Sequence, residues 1–162
     1  MFNKTLERKV MRAILINPKQ ESIRHISYDG DYKSIYRILG CTTFEAVYPF
    51  DIGDTLWIDE EGLLKESNYA FNLISDKLGV SPKSQFGQTI MGSALILGTD
   101  AEGESIECKS KLDDIKSRVT FQGKVAIEND GQGFTITPWH IYQNNLEEAK
   151  LLLEKLKTQG SA

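Results

Sequence analysis

Cysteine and histidine are scarce in this chain of 162 residues, with two of each. Structural zinc draws its ligands mainly from these two residue types, and Cys41 and Cys108 follow no metal-ligand spacing. No metal and no cofactor is therefore predicted. A nucleophilic mechanism would set a cysteine beside His25 or His140 with an orienting acid. Nothing in the spacing brings these groups together, so no catalytic residue is assigned. Both cysteines are expected to stay reduced, as in a cytosolic protein. The glycines fit neither the Walker A nor the dinucleotide pattern, and Gly-Lys-Ser/Thr does not occur. No apolar run approaches the roughly 18–20 residues that span a membrane, so no membrane contact is expected. Residues 1–10 lack the apolar centre of a secretion signal, and a cytoplasmic location is expected. Positive charge is not in excess either: 19 Lys and Arg face 23 Asp and Glu, for a net charge of −4. Duplex nucleic acid needs a concentrated basic face, which argues against it as a partner. Lys109, Lys111, Lys116, Arg118 and Lys124 form the densest basic run, but Asp113 and Asp114 break it, and it reads as a solvated face.

Hydrophobic residues make up 40% of the chain and charged residues 26%, an ordinary globular composition. The length suits one domain with a real core. The expected layout is an arm over 1–10, a core over 11–108, and added strands and a helix over 109–162. Arg12–Asn17 is a continuous aliphatic strand that stops at Asn17-Pro18, as expected of a strand buried on both faces. Ser22–Tyr28 reads as its neighbour. Tyr32, Ile35, Tyr36 and Leu39 recur with helical spacing after Asp31, with Gly40 at the C-terminal end. Phe44–Tyr48 and Asp54–Ile58 read as strands, with Pro49 ending the first. Asp59-Glu-Glu-Gly62 reads as a turn in which Gly62 supplies a positive φ. Asn68–Leu78 reads as a short helix and Val80–Gln88 as a loop. Ile90–Leu97 reads as one buried strand, in which Gly92 and Gly98 mark a bulge or a close backbone approach. Ser105–Cys108 returns as a hairpin partner. Three short strands, Val119–Phe121, Val125–Ile127 and Phe134–Ile136, follow. Asn145 and Glu148 suggest a capping box for a last helix with a buried stripe of Leu146, Ala149, Leu152, Leu153 and Leu156. The elements do not alternate as βαβα. The predicted class is α+β, with a mainly antiparallel or mixed sheet and two to three packing helices, including an amphipathic C-terminal one.

Arg12-Ala-Ile-Leu-Ile16, Ala46-Val-Tyr-Pro-Phe-Asp51, Asp59-Glu-Glu-Gly-Leu-Leu64, Asn68, Ile90-Met-Gly92 and Leu95-Ile-Leu-Gly98 together resemble a family of small uncharacterised domains. These are encoded by phages, plasmids and bacterial mobile elements. The resemblance covers roughly residues 11–107. It implies an origin and an architecture, and it brings no catalytic residues.

The acidic set Asp51, Asp54, Asp59, Glu60 and Glu61 straddles a strand about 13–17 Å long at ~3.3 Å per residue. Its carboxylates cannot share one ion, and they read as a solvated hairpin edge. Trp57 alternates with Leu56 and Ile58, so it faces either a covering helix or a partner. Tyr48, Trp57 and Trp139 are the candidate anchors for a protein partner. The functional expectation is a non-enzymatic accessory protein of a phage or mobile element. It would bind a host protein or itself, with anti-defence as one such role. The alternative is a binder that sequesters a small nucleotide signal, with Arg24, Arg37, Arg118 and the backbone at Gly92 and Gly98 contacting phosphate. A carboxylate-dependent hydrolase is the third reading.

Overall fold

The computed structural model describes residues 10–76 and 88–159. It is α+β, with strands β1 (Met11–Asn17), β2 (Ser22–Tyr28), β3 (Phe44–Val47), β4 (Thr55–Asp59), β5 (Ser67–Leu73), β6 (Gln88–Met91), β7 (Ala94–Thr99), β8 (Ser105–Ile106), β9 (Val119–Asn129) and β10 (Phe134–Pro138). The helices are α1 (Tyr32–Leu39), α2 (Leu112–Arg118) and α3 (Trp139–Gln159). One sheet runs β2-β1-β7-β4-β3, with β8 pairing the end of β7, and the other runs β10-β9-β5-β6. Every pairing among the described residues is antiparallel.

The aliphatic run of β1 is explained by its position between β2 and β7. Ala13 to Ile16 are all buried. Ile14 and Ile16 face the second sheet, where Phe71, Leu73 and Ile90 meet them together with Leu56, Ile58 and Ile96. Ala13 faces the other way, toward Leu95, Leu97, and Ile35 and Leu39 of α1. Each large aliphatic side chain removed from water contributes about 1.5–3 kcal/mol, so this three-layer order (α1, first sheet, second sheet) holds the fold together. Helix α1 begins where the sequence predicts. Asp31 accepts from the Lys33 N–H at 3.0 Å, and Gly40 closes the helix with φ 63°. Tyr32 and Tyr36, placed on its apolar stripe by spacing, lie toward solvent instead, and Ser34 is buried against Asp29.

Four other expectations are corrected. Residues 67–73 form strand β5, not a helix. They pair with β6 on one side and β9 on the other, so sheet hydrogen bonds on both edges outweigh a helical spacing that is ambiguous in so short a run. Ile74, Ser75 and Asp76 of that expected helix are likewise not helical, and residues 77–78 of it and 80–87 of the expected loop lie outside the described residues. Ile90–Leu97 is two strands in different sheets, broken at Gly92, whose φ of 83° turns the corner. Val119–Phe121 and Val125–Ile127 belong to one strand, β9; Gln122 is an extra residue opposite the Ala70–Phe71 step, and Gly123 takes the bulge with φ 72°. Gly62 does not have a positive φ but starts a single 3-10 turn (Gly62–Leu64).

The last helix differs most. It begins at Trp139, so Asn145 lies inside it rather than capping it, and none of its residues is buried. Leu152, Leu153 and Leu156, expected in the core, are 59–64% exposed.

Gly98 is the close approach that its position in an apolar strand implies. The space a Cβ would need is held by the Glu107 carbonyl oxygen and the Ile106 side chain. A backbone obstacle cannot swing aside. Gly98→Ala is therefore expected to destabilise the fold by about 1–3 kcal/mol in urea unfolding, and a variant of wild-type stability would contradict this packing.

Candidate functional site

Two surfaces stand out, a cleft beside α2 and the face of α3. The cleft is built from a buried carboxylate outward. After Gly53 (φ 93°) the chain turns Asp54 inward, where it is fully buried. Its oxygens accept the Lys109 N–H at 3.0 and 2.9 Å, the Ser110 N–H at 2.7 Å and the Ser110 hydroxyl at 2.6 Å. This fixes the segment that leads into α2. A second clamp sits at the far end of that helix. Arg118 donates to Asp114 at 2.9 Å and to Asp76 at 2.7 Å, and reaches the Ile74 carbonyl at 3.2 Å. Its guanidinium lies 5.8 Å from the centre of the Phe50 ring. Burial opposes its charge, but Asp76 and Asp114 together hold its pKa above the ordinary value. Asp76 in turn accepts the Asp51 N–H at 3.0 Å.

Between the clamps lies an open cleft of about 340 Å³ with Phe50 and Ile52 as its apolar part and Lys109, Lys111 and Arg118 as its cations. Asp76 and Asp114 already occupy Arg118. Among the described residues, Lys109 and Lys111 make no ion pair. The cleft suits an anionic group carried on an apolar or aromatic body.

Of the five residues expected to contact phosphate, Arg118 alone lines this cleft. Arg24 is exposed on β2, and Arg37 lies on α1, 3.5 Å from the Ser34 hydroxyl. Gly92 forms the corner between sheets, and at Gly98 it is the chain itself that comes close. The acidic set is not a uniformly solvated edge. Asp54 and Asp59 are buried, and Asp59 accepts the Glu61 N–H at 2.9 Å and pairs with Lys65 at 3.2 Å. Among the described residues, no group of three or more His, Cys, Asp or Glu could hold a metal ion. Cys41 and Cys108 are free thiols, and burial pushes both pKa values up, helped by Asp59 and Asp54 respectively. His25 and His140 are exposed on β2 and α3.

The aromatic candidates separate. Trp57 lies half-buried beneath α1 with its ring edge-on to Phe44 at 5.5 Å, and its indole N–H has no hydrogen-bond partner. Tyr48 is 58% exposed. Trp139 opens α3, with the Lys124 ammonium 4.0 Å from its ring centre and Tyr142 at 5.5 Å. These contacts root the first turn of α3 on β9. Beyond them the leucines of the helix are open to solvent, a feature that sequence reasoning missed because it assumed the stripe was covered. Among the described residues, no helix is long and apolar enough to cross a membrane.

The model of a domain of unknown function matches residues 11–120. The match extends past the expected limit of 107 to include α2 and the start of β9, and stops short of β10 and α3. No curated protein and no solved structure matches the chain.

Two predictions follow from the clamps. Asp54→Ala strands three buried or half-buried donors and is expected to cost at least ~3 kcal/mol of stability. A loss below about 1 kcal/mol in chemical unfolding would mean that the carboxylate does not hold the segment. Asp76 has a depressed pKa, first through the Asp51 N–H and then through Arg118. A lowered folded pKa adds stability above the unfolded carboxyl value near 3.8 and loses it as pH falls through the folded value. Acid should therefore weaken the wild-type fold more steeply than Asp76→Asn below about pH 4. Parallel acid-melting curves for the two proteins would disprove that coupling.

Proposed function

Given that the chain belongs to the DUF3846 family, a domain of unknown function, we propose that it is a non-enzymatic association module whose working surface is α3. One observation carries this reading. A helix of 21 residues buries none of them, and its leucines are 43–64% exposed. An apolar stripe on a helix stabilises little until something covers it, and a patch of this kind marks an interface. Trp139 is the anchor that fixes the helix to β9. Tyr48 is a second exposed aromatic, whereas Trp57 supports α1 from below. The resemblance over residues 11–107 supports a wider setting: an accessory protein of a phage or mobile element, acting in the cytoplasm on a host protein or on itself, with anti-defence as one such role.

A second reading is favoured by the cleft. Lys109 and Lys111 beside Phe50 suit a small nucleotide-like anion, and native mass spectrometry of protein purified from its host would detect it as added mass that is lost on denaturation. The hydrolase reading has no support of this kind, since the buried carboxylates of Asp54 and Asp59 are occupied by backbone donors.

The association reading is tested by Leu153→Glu combined with Leu156→Glu. These side chains are 59% and 64% exposed within the protomer, so stability should stay within about 0.5 kcal/mol of wild type. Lysine-reactive cross-linking in host cells should lose the complexes that the wild-type chain forms. If every cross-linked product survived the double substitution, α3 would not be the surface.

A further inference from the structure

We infer that the cleft beside α2 takes a nucleoside monophosphate, its phosphate on Lys109 and Lys111 and its base stacked on the guanidinium of Arg118. This deepens the anion reading of the cleft and rests on it. The basic end is made by the local chain. Cys108 and Ser110 are buried while Lys109 and Lys111 are exposed, the alternation of an extended segment, and Lys111 has an extended backbone with φ −90° and ψ 141°. Ser110 is turned inward onto Asp54. The two lysines therefore project together to the other side, their Cα atoms ~7 Å apart at ~3.3 Å per residue. Asp54 also takes the Lys109 N–H, which fixes this backbone before any ligand arrives. Both lysines line the cleft. Two ammonium charges at this spacing suit the several oxygens of a phosphate, whereas a carboxylate is matched better by the planar fork of an arginine.

The other end is set by what Arg118 has left to offer. Its Nε and Nη1 donate to Asp114, Asp76 and the Ile74 carbonyl. Such bonds run near the guanidinium plane, and one face of that plane lies over the Phe50 ring at 5.8 Å. The opposite face is the one left for the cleft, which Arg118 lines together with the half-exposed Ile52. Nucleobases stack on guanidinium planes as they do on aromatic rings. From Lys111 to Arg118 the chain advances ~10 Å along α2 at 1.5 Å per residue. A pentose set between phosphate and base bridges a span of that order. A phosphate carried directly on an aromatic ring is too short to reach both ends.

Charge limits the ligand to one phosphate group. Lys109, Lys111 and Arg118 are opposed in the cleft by Asp76 and Asp114, and both carboxylates sit at the Arg118 end. A second phosphate placed toward that end would meet them. The volume of about 340 Å³ is at the low end of the roughly 300–1,000 Å³ of ligand pockets, which also suits a single nucleotide.

Isothermal titration calorimetry of the full chain with the four ribonucleoside 5′-monophosphates tests this. At least one is expected to bind with a dissociation constant below about 1 mM. Ribose 5-phosphate lacks the stacked base and should bind about tenfold more weakly. The 3′,5′-bisphosphate of the best nucleoside should bind no more tightly than its 5′-monophosphate. Lys109→Gln with Lys111→Gln should weaken the best nucleotide about tenfold or more. The thermal melt without ligand should not change, because both side chains are exposed and the Lys109 N–H held by Asp54 is kept. If ribose 5-phosphate or phenyl phosphate bound as tightly as the best nucleotide, or the bisphosphate more tightly, the nucleotide assignment would be wrong and the anion reading of the cleft would stand. Measurable binding of inorganic phosphate without binding of any nucleotide would have the same meaning. Binding of neither, or a double lysine variant that binds as the wild type does, would sink the anion reading as well.

Discussion

The fold depends on one close approach, that of Gly62 to Met91. The chain passes three times between the two sheets, from β4 to β5, from β6 to β7 and from β8 to β9, and the first two passages touch. A Cβ on Gly62 would lie 2.9 Å from the Met91 Cβ and 3.0 Å from its carbonyl oxygen. Asn68 ties the same place together. Its side-chain amide donates to the Gly62 carbonyl at 3.2 Å, and its oxygen accepts the Tyr69 N–H at 2.8 Å. The Gly92 N–H then donates to the Tyr69 carbonyl at 2.7 Å as the chain turns back into the first sheet. Without these contacts β5 and β6 would not lie over β1 and β7, and Phe71, Leu73 and Ile90 would lose the apolar face they cover.

This gives a physical meaning to the residues that carry the family resemblance. Asp59-Glu-Glu-Gly-Leu-Leu64, Asn68 and Ile90-Met-Gly92 are the crossover itself. They are requirements of backbone geometry and hydrogen bonding, with no group placed for chemistry. The buried carboxylates follow the same logic: Asp54 and Asp59 are satisfied by backbone N–H groups and a lysine, and they hold loops in place. What remains for function lies on the periphery, in the cleft between the two clamps of α2 and on the helix that follows the matched region.

How much was legible in the sequence depended on how local the cause was. Helix α1 was readable because Asp31 and Gly40 act within a few residues of the helix they bound. Strands β1 and β2 were readable because an unbroken aliphatic run before Asn17-Pro18 has few other uses. β5 was not, since its partners come from residues 88–91 and 119–126, beyond any local window. The cleft was half legible: Arg118 was marked as a candidate, but its partners Asp76 and Phe50 lie 42 and 68 positions away in the chain.

The sequence by itself determined which segments are apolar, where the chain turns, and that glycine is needed at 92 and 98. Periodicity and turn chemistry are properties of a few neighbouring residues, so they survive in a one-dimensional reading. Only the tertiary structure decided that Met91 and Ala94 belong to different sheets, that Asp54 is interior, and that the leucines of α3 face water. A stripe of leucines states that a face favours burial. What covers it is decided by how much of the core is already closed, and here the two sheets and α1 close that core without α3.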